Sequence, residues 1–214
     1  MLGMAKGSNQ YYMERLQALY AQKYGTEKKC PIEVVQTDFS QINAHLPNQF
    51  EYLNPLISEY TSIAEGRGIA KLMIPNFTIH ESIDQINPDI EIAHPLQLCT
   101  EYLLREKVKS VIVFGSLYTM SAKYLSTALE SVGVKIKTTS KVDAEKIDQF
   151  RRDVYNTIET PQMIKSYQSL IGKYSEVAHI IIACSELSCY APLDDSNIID
   201  LADLQINSLL ETFG

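Results

Sequence analysis

Two rhythms of apolar and polar positions alternate along the chain: short β-branched runs that mark strands, and stretches with an apolar residue every third or fourth position that mark helices. Tyr12, Leu16 and Leu19 share one face of a helix predicted over residues 9–21. Residues 32–37 read as a strand. A helix is predicted to open at Asn54-Pro55 and to stop at the glycines Gly66 and Gly68. Residues 69–74 form the next strand, ended by Pro75. Then come a helix over 95–107, a strand over 108–114, a helix over 118–132 stopped by Gly133, and a strand over 134–139. Helices over 144–158 and 161–177 follow. The most apolar strand, 178–183, ends at Cys184, and a strand stub at Ile198-Ile199 leads to a closing helix over 201–213. Alternation of this kind predicts an α/β fold with a mostly parallel sheet covered by helices.

A strand that ends in a polar segment occurs near residue 76 and again near residue 184. This coarse echo predicts two similar α/β halves with the site in the cleft between them. The first half is expected over residues 1–94 plus 200–214, and the second over 95–199.

Composition narrows the partners. Of the 214 residues, 45% are apolar and 21% charged, as in an ordinary soluble domain, and the net charge is −7. That sign argues against nucleic acid and an anionic membrane, while a local pocket could still oppose it for a small acidic substrate. The first residues do not form a signal-peptide pattern, and no apolar run approaches the ~18 residues of a membrane span. The four cysteines, Cys30, Cys99, Cys184 and Cys189, have neither metal-site spacing nor the density of a disulfide scaffold. A cytoplasmic, reducing location is therefore expected, with no metal.

Four segments carry candidate chemistry. Cys184-Ser185-Glu186 follows the most buried strand, where open α/β sheets place their ligands. Turn N–H groups after Cys184 would favour its thiolate, so it is expected to be the first cysteine alkylated at mild pH; a buried structural cysteine is the bland reading. Asn76-Phe77-Thr78-Ile79-His80 offers an amide, a hydroxyl and an imidazole, or simply a capped loop. Gly115-Ser116-Leu117-Tyr118-Thr119-Met120 puts two hydroxyls at a helix start suited to a carboxylate, or merely caps that helix. Gly3-Met4-Ala5-Lys6-Gly7 is a glycine-rich loop before Tyr11-Tyr12.

In their order and spacing these segments resemble the cofactor-independent aspartate/glutamate racemase family. That family has a Gly-Met loop before an aromatic pair, a Cys-Asn-Thr-x-His motif, a Gly-Thr-x-x-Thr-Met element and a Gly-Cys-Thr-Glu-Leu motif. Asp200 matches a recurrent aspartate at the last helix. The resemblance implies two three-layer (Rossmann-like) α/β halves with mostly parallel sheets and an active-site cleft between them. It also implies racemisation of aspartate or glutamate, and no cofactor. Catalysis would fall to Cys184, Asn76 and Thr78, with Met4, Phe77, His80, Ser116, Thr119, Ser185 and Glu186 binding substrate.

Three departures stand out. Asn76 replaces the first cysteine of the family's pair, only Met1 and Leu2 precede Gly3, and Gln205 stands where many relatives carry histidine. With Cys184 the surviving thiol, the resemblance implies a racemase whose opposite face is degraded. Two alternatives stay open: a non-catalytic relative that binds an acidic metabolite, and a single-thiol decarboxylase of the arylmalonate type. Arg67, Lys6 and Lys146 are candidates to neutralise a substrate carboxylate. The resemblance leaves a homodimer open.

Overall fold

The computed structural model describes residues 1–192 and 195–213. The chain is α/β with parallel sheets and divides into two units, Met1–Pro95 with Gln205–Gly214, and Leu96–Leu204.

In the first unit, helix α1 (Lys6–Tyr24) buries Tyr12 and Leu16, as the helical spacing predicts. Helix α2 (Phe39–His45) has no long apolar period; it starts because the Asp38 carboxylate accepts the Ser40 and Gln41 N–H groups. Helix α3 (Phe50–Gly66) begins a turn earlier than Asn54 and carries Pro55 within it. Strand β1 (Lys71–Leu72) precedes helix α4 (His80–Ile86) and pairs in parallel with β2 (Glu91–Ile92). The strand expected over residues 32–37 shrinks to one bridge, Val35 to Leu2. Met1, Leu2 and Gly3 run beside it: Val35 N–H donates to Met1 O, and Gly3 N–H donates to Val35 O. Leu2 N–H also donates to Met73 O at 2.9 Å, joining this fragment to the end of β1. Leu2, Val35, Ile42, Leu53, Ile57, Leu72 and Ile74 form the unit's core.

The second unit holds helix α5 (Pro95–Arg105), strand β3 (Ser110–Phe114), helices α6 (Leu117–Ser121) and α7 (Lys123–Ser131), and strand β4 (Lys135–Lys137). Helices α8 (Lys141–Tyr155) and α9 (Pro161–Ser175) follow, then strand β5 (His179–Ile182), helix α10 (Ser185–Ser188), strand β6 (Ile198–Asp200) and helix α11 (Leu201–Leu210). The last residues of α11 belong to the first unit. The single helix expected over 118–132 breaks at Ala122. Ser121 Oγ donates to the Leu117 and Tyr118 carbonyls, and such back-bonding bends helices. The sheet order is β4-β3-β5-β6, every pair parallel. Phe114 is level with Ile182, and Ile182 with Asp200. Three strands thus end together, and Gly115, Ala183 and Leu201 leave the same edge. Phe114, Ile147, Phe150, Tyr167, Ile171, Ile180 and Ile182 pack the core beneath.

Candidate functional site

At that edge Ala183 N–H donates to Phe114 O at 2.8 Å, so the segment after β3 runs beside the segment after β5. Ser116 caps α6: its Oγ accepts Thr119 N–H at 3.1 Å and lies 2.9 Å from Thr119 Oγ1. Gly115 permits this approach, since a Cβ there would lie 3.1 Å from Thr119 Cβ. Cys184 precedes the short helix α10. Its thiol donates to Glu186 Oε2 at 2.9 Å, and Ser185 Oγ donates to the same oxygen at 3.2 Å. The second unit therefore gathers five predicted site residues: Ser116, Thr119, Cys184, Ser185 and Glu186.

Cys184 is not poised as a thiolate. Protein crowds its sulfur although the residue keeps some surface, and that burial together with the Glu186 carboxylate pushes its thiol well above the ordinary range. Arg151 and a backbone donor pull the other way and are outweighed. The expectation that turn N–H groups would favour thiolate is corrected: a carboxylate accepts from the sulfur and holds its proton.

Arg151 is a charged neighbour of this cluster that sequence reasoning missed. It interacts with both Cys184 and Glu186. Burial works against its charge, but Cys184, Asp148 and Glu186 more than offset this and raise its basicity. Its Nε donates to buried Asp148 at 2.9 Å, which fixes the guanidinium. The available signal was its place on α8, four residues after fully buried Ile147 and therefore on the inward face. Of the basic residues expected instead, Arg67 pairs with Glu33 at 2.8 Å and Lys146 with buried Asp143 at 3.8 Å, and Arg67, Lys146 and Lys6 are themselves exposed.

In the first unit Asn76 Oδ1 accepts from Thr78 Oγ1 at 2.8 Å and from Ile79 N–H at 3.3 Å, closing a turn ahead of α4. His80 is fully buried. Its Nδ1 faces the Asn76 and Phe77 carbonyls at 2.9 and 3.2 Å, and carbonyls only accept, so Nδ1 carries the proton. Nε2 meets the Gln205 amide at 3.4 Å. Gln205 also donates to Ala93 O at 2.8 Å, and its Oε1 accepts from Tyr12 Oη at 2.7 Å. Burial, then His94, holds His80 well below the usual imidazole range. His80 thus orients the Asn76 loop as a neutral ring, and Thr78 turns its hydroxyl to Asn76. His94 is also buried, with its ring 4.9 Å from that of His80. Met4 puts its side chain in the core, while Asn9 brackets its backbone with bonds of 2.7 and 3.0 Å. Phe77 is partly buried beside Asn76.

No group of three or more metal-binding side chains occurs among the described residues, and none of their helices is long and apolar enough to cross a membrane.

The fold is that of the aspartate/glutamate racemase structures. A candidate Asp/Glu racemase from Yersinia pestis superposes with a TM-score of 0.82 at 16% identity, covering 99% of this chain and 96% of that one. An aspartate racemase homologue from Pyrococcus horikoshii gives 0.81 at 18% identity, covering 99% and 97%. Picrophilus torridus aspartate racemase gives 0.76 at 16% identity, covering 99% and 91%. No protein-family model matches the chain, and no curated protein does. At these identities the likeness establishes the fold.

Proposed function

We propose that the chain is a cofactor-independent amino-acid racemase acting on aspartate or glutamate, with Cys184 as its acid/base. The observation that carries this is the Cys184 thiol hydrogen-bonded to Glu186 at the carboxyl edge of the sheet, with Arg151 interacting with both. Arg151 offers a guanidinium to a substrate carboxylate, and the Ser116, Thr119 and Ser185 hydroxyls offer further donors. Carboxylate binding favours the enediolate-like state formed when the Cα proton leaves. Cys184 as a thiol returns a proton to Cα; passing its proton to Glu186 gives the thiolate that removes one. Asn76 and Thr78 do not titrate near neutral pH, so Cys184 with Glu186 is the acid/base that the proposed site retains, and Cα exchange outpaces net inversion.

The test is incubation with L-Asp, D-Asp, L-Glu and D-Glu in deuterated water. Deuterium should enter Cα of at least one. Cys184→Ala should abolish the exchange and Cys189→Ala should leave it. Asn76→Cys should raise two-way racemisation by about a hundred- to ten-thousandfold, the usual contribution of a positioned acid/base. Wild-type protein that exchanges none of the four defeats the proposal.

The protonated thiol also favours a second reading, a decarboxylase, because protonating an enediolate after loss of CO₂ needs only an acid. Release of CO₂ from a 2-substituted malonate, without exchange of amino acids, would select it.

A further inference from the structure

A cavity of about 110 Å³ opens in the second unit, lined in part by Tyr102, Ile198, Ile199, Asp200, Asp203 and Leu204. No basic side chain is among the described residues that line it. Asp200 is 8% exposed. Its Oδ1 accepts from the Ser188 hydroxyl at 2.8 Å and from Ala202 N–H at 2.8 Å. Its Oδ2 is buried and has no hydrogen-bond partner among the described residues. A buried carboxylate oxygen without a donor is costly, and here a second carboxylate, Asp203, repels it. Arg105, whose guanidinium lies 5.2 Å from the Tyr102 ring centre, pairs with Glu106 at 2.8 Å and does not line the cavity.

We propose that this cavity binds a short primary ammonium ligand, which donates to Asp200 Oδ2 and lays its alkyl body on Ile198, Ile199 and Leu204. The charge of the lining calls for a cation. A hard divalent ion takes six or more oxygens, whereas the carboxylates in this lining are two, set among apolar side chains. The volume equals roughly three or four liquid waters, which limits the ligand to a few heavy atoms. The substrate carboxylate of the proposed racemase belongs with Arg151; this cavity has the opposite charge and selects the opposite group, so the two proposals stand or fall separately.

The probe is n-propylammonium chloride, titrated into the full chain at pH 8, above the value of about 7 at which the Asp200 carboxyl ionises, at constant ionic strength and followed by amide NMR shifts. Matched titrations use n-propanol and potassium chloride. Propylammonium should produce saturable shifts centred on residues 198–204, and neither control should. Asp200→Asn keeps an oxygen for Ser188 and Ala202 and removes the charge. It should weaken binding by about tenfold or more, as expected for loss of a hydrogen bond to a charged group. Leu204→Phe, which fills the space, gives an independent loss with Asp200 intact. Saturation by n-propanol would show an apolar pocket, and saturation by potassium an inorganic ion site; either overturns the proposal. So does unchanged affinity in both variants, or the absence of any saturable shift, which marks a cavity filled by water.

Discussion

At residue scale the site turns on which group holds the Cys184 proton. Burial raises the thiol most, Glu186 raises it further by its charge and by accepting the S–H bond, and Arg151 lowers it. Glu186→Gln removes the charge, so the thiol should fall toward its ordinary range and Cys184 should alkylate faster at pH 7.5. Each unit of fall is worth about tenfold in thiolate below the pKa. In the wild type Cys30 should be labelled before Cys184: burial raises its thiol too, but no carboxylate contributes. Mass-spectrometric labelling gives both orders, and a wild-type Cys184 that reacts first would show that Glu186 does not hold its proton. Gly115→Ala tests the neighbouring segment. Its Cβ would meet Thr119 Cβ at 3.1 Å and Cγ2 at 3.2 Å, so Thr119 must shift from Ser116. Overpacking of this kind costs about 1–3 kcal/mol, readable as a lower midpoint in urea. Of these residues, Cys184, Ser116 and Thr119 were legible because each follows an apolar run. Arg151 was not: it lies in the middle of a helix, and only the fold brings its charge within reach of Cys184.

At the scale of elements, Ser188 couples α10 to the end of β6. Its hydroxyl donates to Asp200 Oδ1, and its contact with Cys184 O at 3.2 Å returns to the thiol's own backbone. Burial, then Asp203, pushes the Asp200 carboxyl up to about 7 from 3.8. Between those values the folded chain holds a proton that the unfolded chain has released. This group's contribution to stability therefore falls as pH rises from about 4 to about 7, and is flat above. Asp200→Asn should remove that slope, so the variant should gain on the wild type between pH 5 and pH 8 in urea denaturation. Parallel profiles would mean that Asp200 is ionised throughout. In the first unit, Gln205→Ala would remove the donor to Ala93 O and Ile74 O and the acceptor of the Tyr12 hydroxyl bond. Loss of these buried bonds should cost about 1–3 kcal/mol, with a lower thermal midpoint.

For the whole molecule, the two units have separate apolar clusters. Ile57→Ala and Ile182→Ala each empty a fully buried position and should cost about 2–5 kcal/mol. Hydrogen exchange should speed up mainly in the unit that carries the substitution; equal loss across both would mean that the cores unfold as one. The alternation of apolar runs and amphipathic stretches was enough to set the α/β class, because parallel strands buried on both faces and helices buried on one carry different periods. It also placed β3, β5 and most helices to within a few residues. Short local devices escaped it: β2 is two residues long, α2 rests on one aspartate cap, and α6 is cut from α7 by a serine bonded back to its own helix. The order of motifs likewise named Cys184 and Glu186, since a chain's chemistry-bearing residues are visible wherever they fall. Their state was decided by the fold. Whether a thiol is charged depends on the field around it, and that field comes from Glu186 next to it in the chain and from Arg151, which α8 brings in from 33 positions away.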